Sequence, residues 1–143
     1  MTRIISFANH KGGVGKTTST AAVGSCLAEA GYKTLLIDLD GQQNLTSHYL
    51  GEDDERLSVF DSLVKGVALP VVPVKENLWL VPSSLEMAGA EISMVNRLLV
   101  NRCCALCWNL SRVSMTTFFL IVLLRSASSP LMPSLLRRIF LFP

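Results

Sequence analysis

Eight consecutive residues near the amino terminus, Lys11-Gly12-Gly13-Val14-Gly15-Lys16-Thr17-Thr18, carry the densest chemistry in the sequence. Gly12, Gly13 and Gly15 leave the backbone almost bare, so several N–H groups can converge on one anion. Val14 supplies a further amide, and Thr18 closes the run. An ammonium and a hydroxyl stand directly after the glycines. Converging amides, a cation and a hard-metal ligand are what a nucleoside triphosphate with magnesium requires: Lys16 for the β and γ phosphates, Thr17 for Mg²⁺. The general phosphate-loop pattern asks for Gly where His10 stands, and a second lysine, Lys11, lies inside the loop instead. The bland alternative is a Gly-rich turn that binds any anion.

Such a loop works only between a strand and a helix. Arg3 to Ala8 is short, apolar and β-branched and is cut off by the glycines, which suits a buried parallel strand. After the loop, Ala21, Ala22, Leu27, Ala28 and Ala30 predict a small-residue helix that stops at Gly31. Lys33 to Asp38 then reads as a second strand, closed by the acidic pair Asp38 and Asp40. The order β-α-β predicts an α/β fold with a parallel sheet flanked by helices and a ligand at the carboxyl ends of its strands. Further on, residues 51–55 read as a charged surface linker, and Ser58 to Val64 as a short helix ended by Gly66. Pro70 to Pro73 reads as an extended connection and Leu78 to Val81 as a third strand. Ser83-Ser84-Leu85-Glu86 has capping-box spacing, predicting a helix from about Ser84 to Leu98.

Length and composition bound the rest. With 143 residues, half of them hydrophobic and 17% charged, the chain suits one globular domain and not a disordered one. A net charge of +2 is too small to argue for nucleic acid by field strength alone. No secretory signal opens the sequence, and the longest apolar run, Phe118 to Leu124, is far short of the ~20 residues of a spanning helix, so a cytoplasmic protein without a membrane span is expected. Cys103, Cys104 and Cys107 lack a fourth nearby ligand for zinc and read as ordinary thiols, as does Cys26.

Lys-Gly-Gly-Val-Gly-Lys-Thr-Thr after a hydrophobic strand resembles the deviant Walker A motif of the ParA/MinD family of ATPases. The resemblance continues through Asp38-Leu39-Asp40-Gly41-Gln42-Gln43-Asn44-Leu45-Thr46, which is similar to the family's D-x-D-P-Q-x-N-x-T switch, and through Leu80-Val81-Pro82-Ser83 and Ala88-Gly89-Ala90-Glu91. It covers roughly Thr2 to Leu98, and the Gln-rich switch is closer to partition ParA proteins than to membrane-binding MinD proteins. Two departures are Gly41, where the family usually has Pro, and Gln43, where a small residue is common. The resemblance implies a P-loop ATPase that binds ATP and Mg²⁺, forms an ATP-dependent homodimer and works with a ParB-like adaptor and non-specific DNA. It implies that Lys11 reaches across the dimer to the partner's phosphates, that Asp40 positions the attacking water or the metal shell, and that Asp38 supports the magnesium site. For Asp38, a plain strand-end charge is the competing reading.

The composition changes after residue 98. All 11 carboxylates lie at or before Glu91, and beyond Arg97 the only charged residues are Arg102, Arg112, Arg125, Arg137 and Arg138. The family's second acidic strand, approximately Y-D-Y-I-x-x-D-C-P-P-S-L-G, is missing; Met115 to Arg125 stands in its place without an acid. The genetic code offers an explanation. With permitted codons, reading Met115 to Arg125 from one base earlier gives YDYIFLDCPPS, and Met115 followed by Thr116 forces the first Asp. A single-base shift near Leu99 accounts for the lost acids, Lys and Gly, the new Cys and Arg, and an early end. The expected organisation is therefore an ATPase amino-terminal part over residues 1–98 and an out-of-frame, apolar, Arg-containing tail over 99–143, with the sheet incomplete on that side. The rival is a genuine divergent tail. Phe118 to Leu124 stays apolar and β-branched enough to fill the central strand position. Two other functional readings stand beside the partition ATPase: the same fold with another client, and a product with no stable fold.

Overall fold

The computed structural model describes residues 3–8, 11–52, 56–88 and 118–124. Its elements run β1 (Arg3–Ala8), α1 (Lys16–Glu29), β2 (Lys33–Asp38), α2 (Asn44–Leu50), α3 (Val59–Lys65), β3 (Val72–Lys75), β4 (Leu78–Val81) and β5 (Phe118–Leu124). They form one five-stranded sheet in the order β1-β5-β2-β4-β3, with β1, β5, β2 and β4 parallel and β3 antiparallel at the edge. The expected strand, loop, helix, strand opening is present. Its two strands are not neighbours: β5 lies between them, with Phe7, Leu123 and Asp38 on one register row. The apolar segment 118–124 thus occupies the central position expected of it.

The core follows from strand alternation. Thr34, Leu36 and Asp38 share the face of β2 on which α1 lies, and Leu36, Leu78, Leu80, Leu45 and Ala28 form a buried cluster there. Leu35 and Ile37 on the opposite face are also buried, so β2 is covered on both sides, as an interior parallel strand requires. Helix α1 ends as expected: Gly31 takes φ +85°, and the Tyr32 amide donates back to the Leu27 carbonyl at 3.0 Å. Among the described residues, no helix is long and apolar enough to cross a membrane.

Three expectations change. Pro70 to Pro73 is not merely a connection: Val72–Lys75 pairs with β4 through a two-residue turn in which Asn77 takes φ +59°. Pro73 is tolerated there because the strand is at an edge and its ladder is irregular between Pro73 and Lys75. Helix α2 has no expected counterpart. The capping box does not form on Ser83: its amide donates to the Thr46 hydroxyl at the end of β4, and its own hydroxyl is buried with no partner among the described residues. The helical turn begins one residue later, with the Met87 amide donating to the Ser84 carbonyl at 3.0 Å; the remainder of the expected helix to Leu98 lies outside the described residues. A box of that kind closes α3 instead, where the Asp61 carboxylate accepts from both the amide and the hydroxyl of Ser58, at 2.8 and 3.0 Å.

Two glycines record close approaches with different consequences. A Cβ on Gly24 would sit 2.6 Å from Leu36 Cδ2, the mobile end of a side chain, whereas one on Gly41 would sit 2.5 Å from the Ala88 backbone nitrogen. Gly24→Ala also gains about 1 kcal/mol of helix propensity, so its net effect is expected within about 1 kcal/mol. Gly41→Ala is expected to lose about 1–3 kcal/mol, because the backbone of the 85–88 turn must move. Urea midpoints of the two variants check this; equal losses would mean that Leu36 cannot turn aside.

Candidate functional site

The loop 11–15 leaves β1 at the carboxyl edge of the sheet and enters α1. Gly13 and Gly15 take φ +71° and +79°, conformations that any side chain would strain. Gly12 has ordinary φ and open space around a would-be Cβ, so only a ligand lying against the loop would require its bareness. Helix α1 has no side-chain cap and no acid in its first turn, and its first internal bond runs from the Ser19 amide to the Gly15 carbonyl at 2.8 Å. The amides before Ser19 therefore have no intrahelical acceptor and present positive ends outward. Lys16 folds back over the loop, with Nζ donating to the Lys11 carbonyl at 3.5 Å. Lys16 and Thr17 are half-buried, while Lys11, Gly12, Val14 and Thr18 are exposed.

At the end of β2, Asp38 is wholly buried and Asp40 is 3% exposed. Asp38 Oδ1 accepts from the Asp40 amide at 3.0 Å, and Oδ2 accepts from the Thr46 amide at 3.0 Å and the Thr46 hydroxyl at 2.8 Å. The same hydroxyl accepts from the Ser83 amide at 2.9 Å, linking the end of β4 to the start of α2. Burial raises the Asp38 carboxyl to a pKa of about 6, against the opposing pull of these hydrogen bonds, and the nearby Asp40 charge adds to the rise. Asp40 Oδ1 accepts from the Gln42 amide at 3.0 Å; Oδ2 accepts from no described residue. Helix α2 is fixed from its far end by Tyr49, whose hydroxyl donates to the Ala21 carbonyl at 3.2 Å and lies 3.1 Å from Ser25 Oγ, both on α1.

The sequence-predicted residues therefore lie on two segments, 11–18 and 38–40, that leave parallel strands at the same edge. Sequence reasoning missed the structural weight of Thr46 and Ser83: Thr46 ends the Asp38–Thr46 motif and Ser83 ends the Leu80–Ser83 motif, but nothing in their spacing says that they bond each other. Gln43 also gains meaning. It caps α2 with φ +56° and ψ 22°, a left-handed conformation in which a glycine is unstrained. Gln43→Gly is expected to stabilise the chain by about 0.5–1 kcal/mol, read as a rise in thermal midpoint.

The donor set fits a phosphate chain: amides without an intrahelical acceptor, a lysine folded over them and no competing acid in the helix's first turn. Among the described residues, no group of three or more His, Cys, Asp or Glu side chains could hold a metal unaided. A magnesium ion here would need ligands beyond protein carboxylates.

Comparison with known proteins decides the family. The model of the AAA domain family matches residues 2–126. The sporulation initiation inhibitor protein Soj of Bacillus subtilis is 40% identical over 99 residues, covering 66% of this chain and 39% of that protein. The chromosome-partitioning ATPase Soj of Treponema pallidum is 44% identical over 101 residues, covering 67% and 38%. The chain belongs to the ParA/MinD family of P-loop ATPases. Its ParA-like fold recurs in a plasmid partition protein from Borrelia burgdorferi, 26% identical with a TM-score of 0.73, covering 94% of this chain and 60% of that one. It recurs too in cobyrinic acid a,c-diamide synthase from Mycobacterium smegmatis, solved with bound ADP and magnesium, 26% identical with a TM-score of 0.73, covering 98% and 67%. The chain spans about two fifths of the length of the two Soj relatives.

Proposed function

We propose that this ParA-like chain binds ATP and magnesium through the loop 11–18 and comes from a cytoplasmic partition ATPase whose hydrolytic machinery is impaired here. The observation that carries the reading is the bare, left-handed loop running into an uncapped helix with Lys16 folded over it. When bound, ATP and magnesium supply the phosphoanhydride and the charge that screens it. The amides of Gly12, Gly13, Val14, Gly15, Lys16, Thr17 and Thr18 would bind the phosphates, Lys16 would neutralise them, Thr17 would offer its hydroxyl to the metal, and Asp40 would orient the attacking water or support the metal site. Lys11 serves a second copy of the chain across an ATP-dependent homodimer. A ParB-like adaptor and non-specific DNA complete the assembly in the intact protein. Support for the partition role comes from the Soj relatives and the Borrelia structure.

Support for the impairment comes from β5. None of its seven residues, Phe118 to Leu124, is acidic, and the sequence has no acid after Glu91. The central strand thus brings backbone hydrogen bonds to the sheet without a carboxylate for the metal, in keeping with a tail over 99–143 that is out of frame. Weak MgATP binding with no measurable turnover is expected, checked by fluorescence titration with a labelled ATP analogue and by phosphate release. An ATPase rate that disappears with Lys16→Ala would overturn the impairment. A nucleotide sequence with an unbroken frame through codon 99 in independent isolates would overturn the frame shift.

A further inference from the structure

A carboxylate offers about four lone-pair directions. Asp38 has donors on three of them: the Asp40 amide on one oxygen, and the amide and hydroxyl of Thr46 on the other. It is wholly buried, whereas a magnesium ion keeps several waters and takes carboxylates that its hydrated shell can reach. Asp40 differs, with one donor on Oδ1 and none from the described residues on Oδ2. Thr46 is the joint of this arrangement, donating to Asp38 and accepting from the Ser83 amide at 2.9 Å. The chain of bonds runs from the end of β2 through α2 to the end of β4, and it encloses the segment 39–46, the loop after β2 and the first turn of α2.

We infer that Asp38 and Thr46 are positioning residues that hold the segment 39–46 in one shape and thereby fix the carboxylate of Asp40, and that Asp38 is not a ligand of magnesium. What Asp40 serves rests on the proposed nucleotide binding; the hydrogen-bonded tie does not.

The test uses the full chain with Thr46→Val, Thr46→Ser and Asp38→Asn. Without nucleotide, hydrogen exchange at the amides of Asp40, Thr46 and Ser83 is expected to speed at least tenfold in Thr46→Val and Asp38→Asn, and less than threefold in Thr46→Ser, which keeps the hydroxyl. With a fluorescent ATP analogue, the half-saturating Mg²⁺ concentration rises at least fivefold in Thr46→Val and in Asp38→Asn. The double variant is no more than twofold worse than either, and Thr46→Ser restores the wild-type value. A Mg²⁺ requirement raised by Asp38→Asn but untouched by Thr46→Val, or single-variant effects that multiply in the double variant, would make Asp38 a ligand and overturn the inference. Unchanged exchange in Thr46→Val overturns it as well. If the wild-type chain binds no MgATP, the nucleotide reading fails by itself, and the exchange rates still decide the tie.

Discussion

Lys16→Ala lowers the affinity of the chain for MgATP by about 10- to 100-fold, the worth of about 1.5–3 kcal/mol for a charge-assisted contact. Lys16 is the first residue of α1, half-buried, with its ammonium turned onto the Lys11 carbonyl 3.5 Å away. That contact is long and weak, so moving the ammonium to a phosphate forfeits little within the protein. Alanine is a good helix former, and the substitution is expected to leave thermal stability within about 0.5 kcal/mol. Lys11→Ala serves as the contrast. If Lys11 acts on a second copy's nucleotide, its loss leaves the affinity of the single chain within about threefold and removes only nucleotide-dependent association. Titration with a labelled ATP analogue, with sedimentation for the associated state, separates the two lysines. An affinity unchanged by Lys16→Ala would remove the loop from the binding site.

The part of the fold legible in the sequence is the part that local chemistry dictates. Residues 3–38 showed themselves because β-branched runs, glycines with a required left-handed φ and a small-residue helix ended by Gly31 all agree on one arrangement. Helix α2 did not. Its seven residues, Asn44 to Leu50, have modest helix propensity, and it is held from outside: by the Asp38 carboxylate at its first turn and by Tyr49 against α1. Strand β3 was hidden by Pro73, which a central strand would exclude and an edge strand admits. Ser83 illustrates a third cause. Its spacing to Glu86 matches a capping box, but its amide is taken by a tertiary bond to Thr46, and its buried hydroxyl meets no partner among the described residues. At the candidate site, the residue types and their shared sheet edge were legible. The division of labour between Asp38 and Asp40 was not, since it depends on which carboxylate the Thr46 side chain reaches.

That division predicts an unusual pH dependence. Asp38 titrates near 6 in the folded chain, against 3.8 for an ordinary aspartate, because burial penalises its charge more than its three hydrogen bonds favour it. Between these values the folded state holds a proton that the unfolded state has released, so this group's contribution to stability falls as pH rises from about 4 to about 6. The gap between 3.8 and about 6 amounts to about 3 kcal/mol, lost by about pH 7. Asp61 and Glu86 act with the opposite sign: Lys65 holds Asp61 low and Ser84 holds Glu86 low, so their contributions appear above the ordinary carboxylate range and fade in acid. Total stability therefore mixes both trends, and a comparison of variants isolates the one at Asp38. Asp38→Asn keeps the shape, cannot ionise and leaves the other carboxylates alone. Its stability relative to wild type, from urea unfolding, is expected to improve by about 2–3 kcal/mol between pH 4 and pH 7, whatever constant loss the amide imposes at the Thr46 amide. Asp40→Asn, which removes the neighbouring charge, is expected to make the wild-type decline shallower without abolishing it. Parallel curves for wild type and Asp38→Asn across that window would mean that the carboxylate is solvated, and that the tie through Thr46 does not close over it.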